Sequence, residues 1–485
     1  MKVDCTLYAS HHMKTVILIA YILVSLWAIG AIIYHGRRPS RSISWVIAIL
    51  ALPFLGALFY YLFGMNRRKF KFFNNKEFKR RKRYHYEGDT KMEGTAPDFG
   101  SDTRKQRLSR LVGTCSETRP ATGNSITVLQ DGGETFNALF KAMEEAKESI
   151  HVQYYILERG DLLDKMLELF QRKIAEGVVV RIIYDSFGSY RLRGRPKKKF
   201  RDIGVKIYPI MPIRLTNLLF SLNFRNHRKI LVIDNKIAFT GGVNVSDKYI
   251  KHGGELGKWK DTHLKLEGPI VNDIHLVFLK DYYFASKQED FKVEEHLTEQ
   301  PKIGEVAAQV VAGGPDSAHP TIMYQYIGMM NRAKKSICIA NPYFLPGEAL
   351  LEALKIVALE GVEISLLIPK RSDSIAAKFA MFSQFEELLE VGVKIYMRDD
   401  FSHSKILIVD DDLVSIGSGN FDMRSFELNY EANILIYDEK INAEMTGEFL
   451  AICERAEPIT LERFRNRSTW LKFLEGLFKF FKPLL

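Results

Sequence analysis

The chain begins with two long apolar runs and then changes character. Thr15–Tyr34 is twenty residues without a charge, enough helix at 1.5 Å per residue to cross a hydrocarbon core of about 30 Å. Ile43–Phe63 repeats the pattern and carries Pro53 and Gly56, both tolerated in membrane helices. These runs predict an N-terminal hairpin of two transmembrane helices, with a shallow hairpin that never crosses the bilayer as the open alternative. Beyond residue 120 the apolar runs are short and β-branched (IHVQYYI, VVVRIIY, KILVID), separated by amphipathic stretches such as LLDKMLELFQRKIAEG. Strands buried between helices produce that alternation, so the fold class is α/β.

The same order of elements occurs twice. HRKILVIDNKIAFTGGVNVSDKY starts at His227 and HSKILIVDDDLVSIGSGNFDMRS at His403. Both read H-x-K-x4-D, as His227, Lys229, Asp234 and His403, Lys405, Asp410. A glycine follows each histidine by 14 residues (Gly241, Gly417) and an asparagine by 17 (Asn244, Asn420). Upstream, AKESIHVQYYIL from Ala146 matches AKKSICIANPYFL from Ala333, EGVVVRIIYDS matches EGVEISLLIPK, and GVKIYPI matches GVKIYMR. One such motif is weak evidence. Two, with matched flanks, mark a duplicated α/β domain with its site at a pseudo-twofold interface. The expected divisions are 1–66 for the hairpin (helices at 15–34 and 43–63), 67–120 for a basic juxtamembrane linker, 121–302 and 303–450 for the repeats, and 451–485 for a basic amphipathic tail. In that tail Trp470, Leu471, Leu474, Leu477, Phe478 and Phe481 fall at helical spacing, which suits an interfacial helix or a core-packed one.

Charge sharpens this picture. The net charge is +11, yet residues 67–83 alone hold ten Lys or Arg against one Glu. A nucleic-acid binder spreads cations over its binding domain. Cations massed beside an apolar run point instead to an anionic membrane surface, so anionic phospholipids are the expected partners and no nucleic acid is expected. By the positive-inside rule this run stays cytoplasmic, as do the catalytic repeats and the short N-terminus; the three arginines of GRRPSRS, which this leaves outside, fit less well. The four cysteines (Cys5, Cys115, Cys338, Cys453) lie far apart without a CxxC pair, which argues against a disulfide scaffold or structural zinc.

Displacement at a phosphodiester needs a nucleophile, a proton for the leaving oxygen, and positive charge on the non-bridging oxygens. A neutral imidazole can attack while a protonated one opposite donates. Lys229 and Lys405 share a strand face with their histidines because side chains alternate with period two. They reach the same phosphate, with Asn244, Asn420 and the Ser418 hydroxyl as further donors, and no metal or other cofactor is needed. Each imidazole also requires an acceptor that fixes its tautomer. Glu431 is the candidate in the second half and Asp261 in the first, with Glu255, at the offset matching Glu431, ranked behind it. Asp234 and Asp410 complete the candidate catalytic set, although their place at strand ends suits bracing a turn better than touching phosphate.

The duplicated HxKxxxxD motif resembles the phospholipase D superfamily, and FRNHRK, GGVN with WKDTHLKLEG, NPYFLP and GSGNFDMRSFELNYEANILIYD resemble its bacterial cardiolipin synthase branch. The resemblance runs almost end to end. It implies two phospholipase D-like domains about a pseudo-twofold axis, in a multi-pass enzyme of the bacterial inner membrane. It also implies two phosphatidylglycerol molecules giving cardiolipin and glycerol through a phosphohistidine, with His227 as nucleophile and His403 as acid then base by analogy; the pseudo-symmetry leaves the reverse open. Water or another alcohol as acceptor, or a nucleic-acid phosphodiester as substrate, are the alternatives the same half-sites allow. Two departures stand out. Gly242 occurs where the second half has Ser418, and Asp399 and Asp400 precede the second motif where the family has a less acidic stretch. The apolar insert PIMPIRLTNLLFSLNF before His227 suits a lip for acyl chains or an ordinary packed loop.

Overall fold

The computed structural model describes residues 2–35, 39–60, 99, 102–213, 223–251, 256–257, 259–288 and 290–479. The basic run 67–83, the second apolar run beyond Tyr60, most of the insert before His227, and Glu255 lie outside the described residues. Two compact units divide at Lys79 and Arg80.

In the N-terminal unit Lys2–His35 is one helix. Its stretch His12–Tyr34, 23 residues with mean hydropathy 2.7, is long and apolar enough to cross a membrane. The second run is two short helices, Pro39–Ala51 and Pro53–Phe59, broken at Leu52. Pro53 has no N–H to donate and disfavours the helical region for the residue before it. Both pieces fold back on the first helix through Ala28, Ile32, Ile49, Ala57 and Tyr60. Gly56 permits this bend: a Cβ there would meet Ala48 O at 2.3 Å. The expected pair of spans is thus seen as one long helix and a kinked return.

The second unit carries the duplication. The first half supplies β1 (Ala121–Leu129), β2 (Ser149–Tyr154), β3 (Val179–Asp185), β4 (Lys206–Ile210), β5 (Arg225–Asn226), β6 (Ile230–Ile233), β7 (Ile237–Gly241), β8 (Trp259–Lys260) and β9 (His263–Glu267). The second supplies β10 (Val306–Gly313), β11 (Ser336–Ala340), β12 (Glu363–Pro369), β13 (Lys394–Arg398), β14 (Phe401–Ser402), β15 (Ile406–Val409), β16 (Leu413–Gly417), β17 (Asn429–Tyr437) and β18 (Glu457–Ile459). The strand order is β18-β13-β12-β11-β15-β16-β17-β10-β1-β9-β7-β6-β2-β3-β4. Apart from β18 it reads alike from either end. Three parallel strands meet the antiparallel hairpin of the motif (β6–β7, β15–β16), then β9 or β17, then β1 or β10 at the centre, where Ala121 faces Ala308. The equivalent helices Ile270–Ser286 and Glu439–Arg455 bury Phe278, Leu279, Met445 and Phe449 in a core that also takes residues from both halves of the sheet.

Three stretches depart from the expected divisions. The helix Thr103–Ser116, inside the expected linker, is part of the folded unit: its Leu108 and Val112 complete the second half's core. The second half also runs past residue 450, because β18 pairs with β13 and Phe464 is buried in the same core. The tail helix Thr469–Lys479 stacks Phe478 on Phe379 (centroids 5.6 Å apart) but leaves Trp470 and Phe473 65% and 59% exposed, so it is neither wholly interfacial nor wholly core-packed.

Asp234 and Asp410 close their strands at φ 50° and 51°. The Asp234 carboxylate accepts the backbone N–H groups of Lys147, Glu148 and Ser149, each at 2.8 Å. Asp410 accepts those of Lys334 (3.0 Å), Lys335 (2.8 Å) and Ser336 (3.2 Å) and an Arg104 guanidinium N–H at 3.2 Å. They tie the turn after the motif strand to the start of β2 or β11, at the opposite end of that strand from the histidine. Both carboxylates are engaged in bracing these turns, away from the motif histidines. Asp410→Ala should therefore lower stability by roughly 2–4 kcal/mol, the cost of stranding several donors, seen as a fall in thermal midpoint. Turnover per folded molecule should stay within about threefold of wild type; a large loss would return Asp410 to the chemistry.

Candidate active site

Both histidines stand where the two halves cross. β5 runs parallel to the start of β17, pairing Asn226 with Tyr430, and the His227 N–H donates to Tyr430 O at 2.9 Å. β14 runs parallel to β8, pairing Ser402 with Lys260, and the His403 N–H donates to Lys260 O at 2.7 Å. The next residue on each partner strand is a carboxylate. His227 Nδ1 lies 3.0 Å from both oxygens of Glu431, and His403 Nδ1 lies 2.9 Å from Asp261 Oδ2.

The acceptors are therefore exchanged. The sequence reading seated each with the histidine of its own half, whereas each serves the histidine of the other. Register explains why Asp261 and Glu431 correspond: Gly241 faces His263 and Gly417 faces Asn433, placing both carboxylates two residues before equivalent positions. Six more residues separate histidine from carboxylate in the first half than in the second, which hides the match.

Ser418 also differs from expectation. Its hydroxyl donates to Glu431 Oε2 at 2.5 Å and accepts the Ala432 N–H at 3.0 Å, so it orients the carboxylate and does not serve as a phosphate donor. At Gly242, the equivalent position, a Cβ would lie 1.9 Å from Asp261 Oδ1. A side chain there would occupy the place of the carboxylate, which explains the first departure from the family pattern. The second has no bearing on the cavity lining. Asp400 is paired with Arg398 at 2.8 Å, and Asp399 is 3.6 Å from Lys370 and 88% exposed.

Lys229 and Lys405 are fully buried, and each ammonium donates to the carbonyl of its own motif histidine. Burial pushes Lys229 down to about 7 and Lys405 to about 8, against the pull of Glu431 and Asp261. Burial also lowers His227, to about 4, with Glu431 opposing and Lys229 adding to the shift. For Glu431 burial works upward, but His227 and Lys229 outweigh it and hold the carboxyl below its ordinary value. At neutral pH the pair is a carboxylate and a neutral ring. With Nδ1–H given to Glu431, the Nε2 lone pair is free for the cavity. His403 is lowered too, by burial and then by Lys405, whose Nζ lies 2.8 Å from His403 Nδ1. That nitrogen faces a carboxylate and an ammonium together; His227 Nδ1 has no ammonium within hydrogen-bonding distance among the described residues.

Both rings line one cavity of about 220 Å³, with Asn244 and Asn420 beside them. Asn244 accepts the Ile156 N–H at 3.2 Å, while Asn420 Oδ1 is buried without a partner among the described residues. Sequence reasoning missed the aromatic walls. Tyr155 meets His227 edge-on (centroids 4.8 Å apart) and Tyr343 meets His403 likewise (6.1 Å). The signal was present in the matched blocks QYYIL and NPYFL, two residues before Leu157 and Leu345, which make equivalent bridges to Val245 and Asp422. Among the described residues, no three His, Cys, Asp or Glu side chains gather as a metal-ligating group.

A duplicated mixed sheet with one histidine–lysine motif from each half on a shared cavity defines the phospholipase D class of fold. The family model described as "Cardiolipin synthase, PLD-like domain" matches residues 139–267 and 326–453, and a phospholipase D-nuclease N-terminal model matches 23–64. The cardiolipin synthase of Geobacillus sp. (strain WCH70) is 37% identical over 457 residues, covering 93% of this chain and 90% of that protein. Cardiolipin synthase 2 of Bacillus anthracis is 36% identical over 95% of this chain and 90% of its own. The chain belongs to the cardiolipin synthase family. The solved phosphatidylserine synthase of Haemophilus influenzae Rd KW20 superposes with a TM-score of 0.59 at 15% identity, over 78% of this chain and 98% of that one, a likeness of fold.

Gly242→Ala tests the exchanged pairing from a residue that touches no substrate. The added methyl displaces Asp261 and should cut kcat about 10- to 100-fold, a range typical of disturbing a group that orients a catalytic residue. Its binding of phospholipid should change little. A variant with normal kcat would remove Asp261 from the mechanism.

Proposed function

We infer that the chain makes cardiolipin by moving a phosphatidyl group from one phosphatidylglycerol to another. The observation that carries this reading is the pair of imidazoles on one cavity, each with Nδ1 at a buried carboxylate of the opposite half, in a chain of this family. In the first step His227 Nε2 attacks the phosphorus of one lipid. A P–N bond forms, the bond to the headgroup glycerol oxygen breaks, and His403 gives that oxygen its proton. In the second step His403, now neutral, takes the proton from the terminal hydroxyl of a second phosphatidylglycerol. That oxygen attacks phosphorus, the P–N bond breaks, and cardiolipin leaves. Lys229, Lys405, Asn244 and Asn420 donate to the non-bridging oxygens, where charge builds in the transition state.

The asymmetry at Nδ1 supports this order of roles. A carboxylate alone favours the Nδ1–H tautomer and a nucleophilic Nε2 in His227. At His403 the Asp261 carboxylate stabilises the imidazolium that protonates the leaving group, while the Lys405 ammonium at the same nitrogen opposes it until an anionic phosphate arrives. Charge balance supplies that proton. With both rings neutral, two lysines and two carboxylates cancel, so an entering phosphodiester anion is neutralised by one proton on His403. For location, the reading is a multi-pass protein of the bacterial inner membrane with its catalytic halves on the cytoplasmic side, supported by the apolar N-terminal helix and the cations after the second run.

Purified full-length protein given phosphatidylglycerol vesicles should release glycerol and form cardiolipin. Phosphatidic acid without cardiolipin would mean that water is the acceptor. His227→Ala should lose at least about a thousandfold in rate while remaining membrane-bound. His403→Ala should accumulate the phosphatidyl-enzyme with a good leaving group in the substrate; accumulation in His227→Ala instead would reverse the two roles.

Two measurements follow from the charges. Lysines are cationic below their pKa, so the KM for phosphatidylglycerol should rise as pH climbs through about 7 to 8, the values for Lys229 and Lys405 in the empty site. On the acid side kcat/KM should fall as His227 protonates toward about 4. Titrating the enzyme with a non-reacting phosphonate analogue in buffers of different ionisation enthalpy should register uptake of about one proton per site. No uptake would refute the balance argued for His403.

A further inference from the structure

We propose that two ridges flanking the cavity seat its mouth on an anionic bilayer: the segment Phe187–Arg201 on one side, and the helices Ile375–Phe382 and Thr469–Lys479 on the other. The proposal deepens the lipid-transfer reading, and its test reads solvent protection, so either can fail without the other.

The first ridge leaves the C-terminal end of β3. Its turn is fastened behind the cavity wall: Ser189 Oγ donates to Tyr155 O and accepts the Leu157 N–H, both at 2.9 Å. Arg191 donates to Glu158, which lines the cavity, at 3.1 Å. Outward from this fastening, Phe187 and Tyr190 are 50% and 57% exposed. Residues 187–201 then hold seven cations, Arg191, Arg193, Arg195, Lys197, Lys198, Lys199 and Arg201, and no acid. All but Lys197 are exposed; Lys197 lies over the Tyr184 ring.

The second ridge leaves the C-terminal end of β12, the strand equivalent to β3. Asp373 lines the cavity and accepts the Tyr343 hydroxyl at 2.5 Å. The next residue, Ser374, caps the helix Ile375–Phe382, and Ile375 in its first turn is 72% exposed. Phe379 of this helix carries Phe478 of the tail helix. The tail helix is held by Arg467 on Glu475 at 2.6 Å and presents Trp470, Phe473 and Leu477 to solvent with Lys472 among them.

Single exposed apolar side chains need no explanation. Here they cluster on the two segments that follow equivalent strands at the rim of one cavity, and on the tail helix packed against the second of them. Half-exposed aromatics beside lysine and arginine are the composition of an interfacial surface: rings enter the headgroup layer while cations meet anionic lipid. A nucleic acid would match the cations of the first ridge but gives no role to Ile375, Leu477 or Phe473 on the second. A bilayer satisfies both.

The test uses the full-length protein in nanodiscs of phosphatidylcholine alone or with phosphatidylserine, an anionic lipid lacking the glycerol headgroup. Amide hydrogen exchange in peptides covering 187–201 and 469–479 should slow at least roughly fivefold in the anionic discs, about the factor expected per cation at such a surface. Peptides of the buried sheet should not change. The variant Arg195→Glu/Lys198→Glu/Lys199→Glu, which touches no cavity residue, should lose the protection of 187–201. Trp470→Ser/Phe473→Ser should lose that of 469–479, both variants keeping the wild-type thermal midpoint. Equal exchange in the two discs, protection of one segment alone, or protection by short duplex DNA in place of phosphatidylserine would each overturn the proposal.

Discussion

Everything at the centre of this protein depends on one crossing of strands. The two-residue strands ahead of the motif histidines do not extend their own sheets; each lies beside the carboxylate strand of the opposite half. A short parallel pairing thereby brings imidazole and carboxylate together and locks the halves to each other at the same point. Neither half contains a working histidine alone, because the group that fixes its tautomer is donated by the other. The continuous sheet through β1 and β10 and the shared core beneath it hold this crossing rigid, as a site that must align two rings about one phosphorus requires.

Burying such a site is costly unless charges cancel. Lys229 and Lys405 against Asp261 and Glu431 do so while both lysines are cationic, and the balance then persists only if an anionic phosphodiester arrives with a proton. Desolvation, which lowers both imidazoles, thus does two jobs. It keeps His227 neutral, as the proposed nucleophile must be, and in the same proposal it makes protonation of His403 conditional on substrate. A site with the same residues in water would have no such coupling, since exposed charges at these distances interact weakly.

Much of this was legible in the sequence, and the failures share a cause. Repetition of HxKxxxxD with matched flanks revealed the duplication, the α/β class and both carboxylates that meet the imidazoles, though not the aromatic walls of Tyr155 and Tyr343. It did not reveal which carboxylate meets which ring, because chain order says nothing about strands that pair across a pseudo-twofold axis. Asp234 and Asp410 look catalytic by their place in the motif, yet they cap turns, and only the backbone amides of Lys147–Ser149 and Lys334–Ser336 around them give that away. Ser418 looks like a phosphate donor until its partner, thirteen residues on, is seen to be Glu431. The helix Thr103–Ser116 was hidden by its charge: twelve of its fourteen residues face away from the core that Leu108 and Val112 enter, or reach it only in part.

The imperfect symmetry carries the last step of the argument. A perfectly doubled site would offer two equivalent histidines and no reason for either to attack. Here the position after the glycine that ends each hairpin differs. Ser418 grips a long carboxylate in one half, and Gly242 makes room for a short one in the other. The short one brings Asp261 to His403 with Lys405 at the same nitrogen; the long one leaves His227 to Glu431 without an ammonium at that nitrogen. One methylene and one hydroxymethyl group separate the two carboxylate seats, and the proposed two-step transfer needs that inequality more than it needs the symmetry from which it arose.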